Sequence, residues 1–541
     1  MLTYRKLIAK ACLAGFLIAL AAFLMGPAHG GVEALLLLVG VFSAATGKRG
    51  WALGTFILFP LLLTLNRYAF PMSGSGASIN KVSMLIVAIV LLVSSSRHRG
   101  TNQLPLGGLF AYLAVAILSS AQGYFPEISY LKIVNFVAFI LGIWIGTRNL
   151  QRTPVEMNRL RVFMLGVSIF VILGSFGTLA FPSVAYFQNM GSVIQEAGIE
   201  YADEVFRATK QDIGVSYFAG VTGQSQCLGP MLAALMNWVI ADMLFVEKRL
   251  APFHALLVVI GLGELVLTHS RTGMLAFACG AAILSSYVLK RVNLARRLRA
   301  RVRNLVVLGV FLLGCAAIVS QLRGGGVTAF IRKGQTAESG ESSLTGALVH
   351  SRLGLIEQNM FDFNHNPLLG CGFQVAYYHQ FAFAHHKGLI LSAPIEKGIL
   401  PLMVLGEGGI VGLVVFLGFL VAFYAGCAKK HLFVTMALFT VLVMSNFGEA
   451  DFFSPGGIGG AKWVLCVVGG FIIDCQLLYA REIERLMAFA AMEQNGRSGL
   501  RTAQVTRRAA HGAFDRDQGP LQDLFGRRGA GACTGRRVPL R

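Results

Sequence analysis

Long apolar blocks alternate with short polar breaks along most of this chain. The blocks fall near 7–26, 31–46, 51–66, 82–95, 104–120, 130–147 and 160–183, then near 217–246, 252–268, 273–290, 304–321, 401–426, 432–448 and 461–479. About 20 apolar residues in a helix cross a bilayer core, whereas a membrane strand needs only about 10 in alternation. The pattern therefore predicts an all-α polytopic membrane protein with about 12-14 transmembrane helices. The blocks at 31–46, 51–66 and 82–95 are short for a span, so one or two are expected to re-enter or to be divided differently.

Polar residues set the direction of threading. With the N-terminus inside, nineteen basic residues fall in inside loops, among them Lys48, Arg49, Arg148, Arg159, Arg161 and the run Lys290–Arg303. Short outside loops hold five: Arg67, Lys81, Arg207, Lys210 and Arg271. This is the bias of the positive-inside rule. It places 184–216, 269–272, 322–400 and 449–460 outside and both termini in the cytoplasm, with outside meaning the periplasm of a bacterial inner membrane. Arg5, Lys6 and Lys10 precede an apolar run with no convincing cleavage site, so that run is read as an uncleaved first helix. Four regions follow: an N-terminal transmembrane bundle (1–321), a large periplasmic loop (322–400), C-terminal transmembrane helices (401–480) and an Arg-rich cytoplasmic tail (481–541), expected to be disordered.

Composition supports the membrane class, at 55% hydrophobic and 13% charged residues over 541, with mean hydropathy +0.64; a soluble domain carries about 25% charge. The net charge of +21 would point to nucleic acid in a soluble protein. Here it fits the inside loops and the attraction of anionic membrane lipids. The tail's arginines lack interleaved aromatics, so no nucleic-acid partner is expected. Nine scattered cysteines, without CxxC or metal-ligand spacing, support neither a disulfide framework nor a zinc site.

Candidate chemistry gathers at the outer ends of the spans. Arg271 lies in Thr268-His269-Ser270-Arg271-Thr272-Gly273, with almost no loop between two spans. Arg352, in His350-Ser351-Arg352, precedes an amphipathic stretch expected to lie on the membrane surface and a Pro/Gly turn, Pro367-Leu368-Leu369-Gly370-Cys371-Gly372. A guanidinium offers five donors in a fork that suits phosphate oxygens. The bland alternatives are snorkelling for Arg271 and a surface salt bridge for Arg352. Glu407 sits inside an apolar run between glycines, where a carboxylate is costly and so a functional candidate; a helix-end carboxylate at headgroup level is the alternative. Glu396 and Lys397 lie just before Pro401, which suits a first helical turn. If the helix extends back to Glu396, Glu396 and Glu407 share a face, eleven residues being close to three turns. His385 and His386 are proton acceptors near neutral pH, or merely solvated loop residues.

These segments, over about 265–425, resemble the membrane O-antigen ligase and polysaccharide polymerase superfamily. The resemblance is carried by Ser270-Arg271-Thr272-Gly273, by Arg352, by the Pro367–Gly372 turn, and by Glu407-Gly408-Gly409-Ile410-Val411-Gly412, in that order. It implies a GT-C-like bundle and a metal-independent glycosyltransferase, without cofactor, acting on a polyprenyl-diphosphate (undecaprenyl diphosphate) glycan donor. The acceptor is a sugar or a lipid-linked glycan, and other polysaccharide-assembly proteins are partners. Arg271 and Arg352, with Lys397, would hold the diphosphate, and Glu396, His386 or Glu407 would serve the proton transfer. Members carry a His-Asn shortly before the Glu-x-Gly segment; this chain has Glu396-Lys397 there, with its nearest histidines ten residues earlier. Either Glu396 replaces the histidine or the acceptor chemistry differs. The missing His-Asn tips the reading towards a polymerase; a ligase joining finished glycan to lipid A core is the alternative, and a flippase for lipid-linked oligosaccharide the rival from another class.

Overall fold

The computed structural model describes residues 4–66, 70, 76–95, 104–123, 125–148, 150, 153–186, 217–247, 251–290, 353–376, 398–448, 451–455 and 457–496. Fourteen helices, besides a four-residue one at Pro182–Ala185, organise them: α1 (Tyr4–Ala45), α2 (Arg49–Leu63), α3 (Gly76–Ser95), α4 (Gly107–Gln122), α5 (Pro126–Gly146), α6 (Pro154–Thr178) and α7 (Ser225–Ala241), which runs on through a π-helical turn, Asp242–Val246. Then come α8 (Pro252–Leu267), α9 (Arg271–Lys290), α10 (Leu353–His365), α11 (Leu400–Lys429), α12 (Phe433–Ser445), α13 (Ile458–Trp463), a second π-helical turn (Val464–Val468) and α14 (Gly469–Gly496). Among the described residues there is no strand, only an isolated bridge between Leu65 and Thr222. Among the described residues six helices are long and apolar enough to cross a membrane, and six shorter apolar ones accompany them. The chain is an all-α polytopic membrane protein.

Leu7–Leu477 forms one unit and the two ends, Met1–Lys6 with Leu478–Arg541, a second. In the second, the described residues are helical to Gly496, so 481–496 of the expected tail is helix. Residues 497–541 lie outside the described residues, as do the block at 304–321 and most of the loop at 322–400.

Where the blocks were too short, the helices show why. The segments at 7–26 and 31–46 are joined in α1. Gly15 packs on Gly166 of α6, while Gly40 packs on Thr55 of α2, whose neighbour Gly54 lies against Phe163 of α6. A straight helix would set residues 15 and 40 about 37 Å apart, too far for partners that neighbour each other. α1 therefore bends sharply, and Pro27, which cannot donate a helical hydrogen bond, lies between the two halves. The block expected at 217–246 begins instead with a non-helical segment, since Gly220 takes φ +56° and the helix starts at Ser225.

Small residues let the helices of the main unit approach closely, as membrane bundles require. Gly108 of α4 meets Phe419 of α11, Gly426 of α11 meets Pro105, and Gly280 of α9 meets Val441 of α12 and Asn237 of α7. Orphan groups at helix ends are met by side chains from other helices. The first turn of α12 has Leu432 as its flanking residue and no local cap. Instead Val434 N and Thr435 N donate to the Asp474 carboxylate of α14, at 3.1 and 2.8 Å. A buried carboxylate held by several donors is how such a charge is tolerated in an apolar bundle.

Candidate functional site

The helix expected at 401–426 is broken. α11 starts at Leu400 with Pro401 in its first turn, and Gly409 interrupts it at φ +62°, ψ −163°. A break in a membrane helix leaves carbonyls before it and amides after it without helical partners, at a cost of several kcal/mol each if unmet in hydrocarbon. The Pro367–Gly372 turn supplies what is missing. Cys371 N and Gly372 N donate to Gly406 O and Glu407 O at 3.0 and 3.1 Å, while Ile410 N and Val411 N donate to Pro367 O and Leu368 O at 2.9 and 3.3 Å. Ser119 Oγ of α4 also donates to Glu407 O. The backbones cross so closely that a Cβ on Gly409 would overlap Leu368, and one on Gly370 (φ +72°) would overlap Glu407. Both positions therefore need glycine twice over, for conformation and for space. Two segments thirty-five residues apart in sequence form one structural piece.

The interlock fixes Glu407, whose side chain is 1% exposed, within electrostatic reach of Tyr112 of α4. Below it lies a packed aromatic cluster: the Tyr112 ring stacks on Phe453 at 5.1 Å, and Phe136, Phe416 and Phe452 meet Phe453 edge-on. Outside it lies α10. Among its described side chains the buried ones are Gln358, Asn359 and Asp362, at 4%, 1% and 0% exposure, whereas Phe361 is 44% exposed. Asn359 and Asp362 pack directly on Gly406, one residue before Glu407. The residues this helix exposes are mixed, Glu357, Asn364 and His365 beside Phe361.

Arg271 opens α9 at a tight turn. His269 adopts φ +51°, Ser270 N donates to Thr268 Oγ1 and Gly273 N to Ser270 Oγ, each at 3.2 Å. Ser270 thus caps α9 and its side chain packs on Gly229 of α7. The turn is joined to the start of α11 through the end of α12: Gly448 lies against Thr272, and Asn446 O accepts from Leu400 N at 3.0 Å. Arg271 and Glu407 accordingly share one end of the bundle. Arg352, Glu396, Lys397 and His386 lie outside the described residues. The shared face expected for Glu396 and Glu407 does not arise from a continuous helix, because Gly398 takes φ +71° just before α11 begins.

The chain matches no model of a known protein family and no curated protein sequence.

Several buried ionic groups were not singled out by the sequence. Lys132 of α5 is 1% exposed and donates to Gln374 O at 2.7 Å, just past the interlocked turn. Lys462 of α13 pairs with Asp451 at 2.7 Å and donates to Ser445 Oγ. Burial raises the Asp451 carboxyl above the ordinary carboxylate range, with Lys462 opposing. At the opposite end of the bundle Arg161 binds Asp242 through two bonds of 2.6 and 2.9 Å and reaches Glu247 at 2.6 Å; His254 Nε2 lies 3.0 Å from Asp242. Among the described residues no three His, Cys, Asp or Glu side chains gather in a metal-binding arrangement.

Proposed function

We propose that the chain is a membrane glycosyltransferase that polymerises or transfers polyprenyl-diphosphate-linked glycan units at the periplasmic face of the inner membrane, in surface-polysaccharide biosynthesis. The observation that carries this reading is the interlock of the Pro367–Gly372 turn with the Glu407–Gly412 segment, at the end of the bundle where Arg271 opens a helix. Those are the segments on which the resemblance rests, and they meet although nothing in their separation requires it.

Arg271, with Arg352 and Lys397, holds the diphosphate and stabilises the charge that gathers on it as it leaves. Glu396, His386 or Glu407 takes the proton of an acceptor hydroxyl. That oxygen bonds to the anomeric carbon of the donor sugar as the bond from this carbon to the diphosphate breaks, leaving polyprenyl diphosphate. Joining repeat units is favoured over transfer to lipid A core, given Glu396-Lys397 in place of His-Asn. A second reading, a transporter of lipid-linked oligosaccharide, would have its ionisable groups near mid-membrane; the buried carboxylate of Glu264, 1% exposed, lies instead in the last turn of α8, at the end of the bundle where Arg271 opens α9.

The test is the lipid-linked glycan pool of bacterial cells carrying Arg271→Ala, compared with wild type and a deletion strain. Both mutants are expected to accumulate diphosphate-linked glycan on the periplasmic side, as single units for a polymerase or full-length chains for a ligase, while the variant protein stays in the membrane at wild-type amount. Normal polymer from Arg271→Ala would remove the diphosphate role, and glycan stalled on the cytoplasmic face would establish the transporter.

A further inference from the structure

We propose that the corner between the first turn of α2 and the end of α5 is a binding site for a phosphate group, held by Arg49 with Arg148 beside it. The site is independent of the glycosyltransferase reading. Arg49 opens α2 and is only 9% exposed, yet its guanidinium has no hydrogen bond and no ion pair among the described residues. A buried charge is costly unless it is paired, and a guanidinium does not escape that cost by losing its proton.

The surroundings add positive charge rather than a protein anion. Gly146 of α5 packs on Leu53, one turn along α2, so the end of α5 lies against the start of α2. Arg148 follows there, within electrostatic reach of Arg49, and the two like charges repel. Gly50 packs on Glu156, in the first turn of α6. That carboxylate is already engaged, accepting from Gly50 N at 3.1 Å and pairing with Arg159. Neither link brings an acid: Thr46-Gly47-Lys48 precedes α2, and Thr147-Arg148-Asn149-Leu150-Gln151-Arg152-Thr153 joins α5 to α6. The positive end of the α2 dipole adds to the same field. Phosphate oxygens suit such a corner, because they are charged and match the guanidinium fork.

The adjacent source of phosphate is the bilayer. α2 runs from Glu156, at the start of α6, to the Leu65–Thr222 bridge just before α7, so Arg49 lies at the Arg161 end of the bundle, away from Arg271. Phe42 and Trp51 flank it in the chain and are 62% and 47% exposed, as suits side chains at the headgroup level. A lipid phosphodiester reaches the corner from the side, and a soluble phosphate compound from the water.

The test is thermal unfolding of the purified full-length protein in a maltoside detergent, titrated with phosphatidylglycerol, with diacylglycerol or with inorganic phosphate. Phosphatidylglycerol is expected to raise the melting temperature where diacylglycerol does not. Arg49→Gln is expected to need about tenfold more phosphatidylglycerol for the same rise, the loss of one charged hydrogen bond. Lys429→Gln removes an equal charge from an exposed position at the end of α11 and is expected to change the requirement less than twofold. Without phosphate, Arg49→Gln should melt no lower than wild type, since it removes a buried charge that nothing pairs. Arg148→Gln is the second variant, for the case in which Arg49→Gln does not insert, and is expected to weaken the response by a similar factor. Inorganic phosphate that reproduces the rise without lipid, again weakened by either variant, would keep the site and make its ligand a soluble phosphate compound. Equal responses of wild type and both variants to phosphatidylglycerol and to inorganic phosphate would overturn the site. So would a folded Arg49→Gln that melts below wild type in phosphate-free detergent, because the guanidinium would then be paired within the protein.

Discussion

The two ends of the bundle treat buried charge differently. At the Arg161 end, the charges answer one another: Arg161 spans Asp242 and Glu247, and His254 completes the group against Asp242, across α6, the π-helical turn after α7, and α8. At the Arg271 end, the backbone does the joining. A broken helix is repaired by a loop, and on the neighbouring helix α10 the buried Gln358 amide nitrogen has no hydrogen-bond partner among the described residues. The first arrangement joins three helices through side-chain charges, whereas the second joins two distant segments through backbone hydrogen bonds. The function proposed above places the site at the second.

The sharpest way to break the comparison is Gly409→Ala. The new Cβ meets the Leu368 carbonyl and must take a left-handed conformation, so the interlock cannot close. Loss of folded protein is expected, seen as a collapse of the monodisperse peak in detergent; a variant that folds and works would show that the crossing is not needed. Next comes Asp242→Ala, which leaves Arg161 buried with only Glu247 and is expected to destabilise by about 3 kcal/mol. Membrane protein level should fall, with transfer per folded molecule unchanged. Specific loss of transfer at normal protein level would make this end part of the chemistry. The smallest effect belongs to Asp451. Its carboxyl binds protons more tightly folded than unfolded, so its contribution to stability is full below the ordinary carboxylate pKa and is lost as pH rises through the raised one. The melting temperature of wild type relative to Asp451→Asn should therefore decline as pH is raised from about 4 towards neutral, and a parallel pair of curves would contradict the assignment.

Much of this was legible in the sequence because it depends on local rules. Span length is readable from hydropathy alone, and the Arg271 turn stood out because so short a link between two apolar runs carries a guanidinium. Glu407 stood out for its cost inside an apolar run. The interlock was not legible: the turn and the helix break could each be suspected from glycines, but their pairing rests on backbone bonds between distant segments. The Arg161 cluster was hidden for another reason. Arg161 counted as one more inside-loop charge, and its partners Asp242 and His254 lie far along the chain, at the ends of other helices. The burial of Gln358, Asn359 and Asp362 was not legible, because hydropathy gives the two faces of an amphipathic helix without saying which one the protein covers.

The most direct test is transfer by the purified wild-type protein in lipid vesicles, supplied with lipid-linked glycan from the deletion strain, beside Arg271→Ala. The account predicts longer glycan chains and released polyprenyl diphosphate with wild type, and at least a hundredfold less, about 2.7 kcal/mol of lost transition-state stabilisation, with Arg271→Ala. Wild-type vesicles that move the glycan across the bilayer without forming a new glycosidic bond would contradict it.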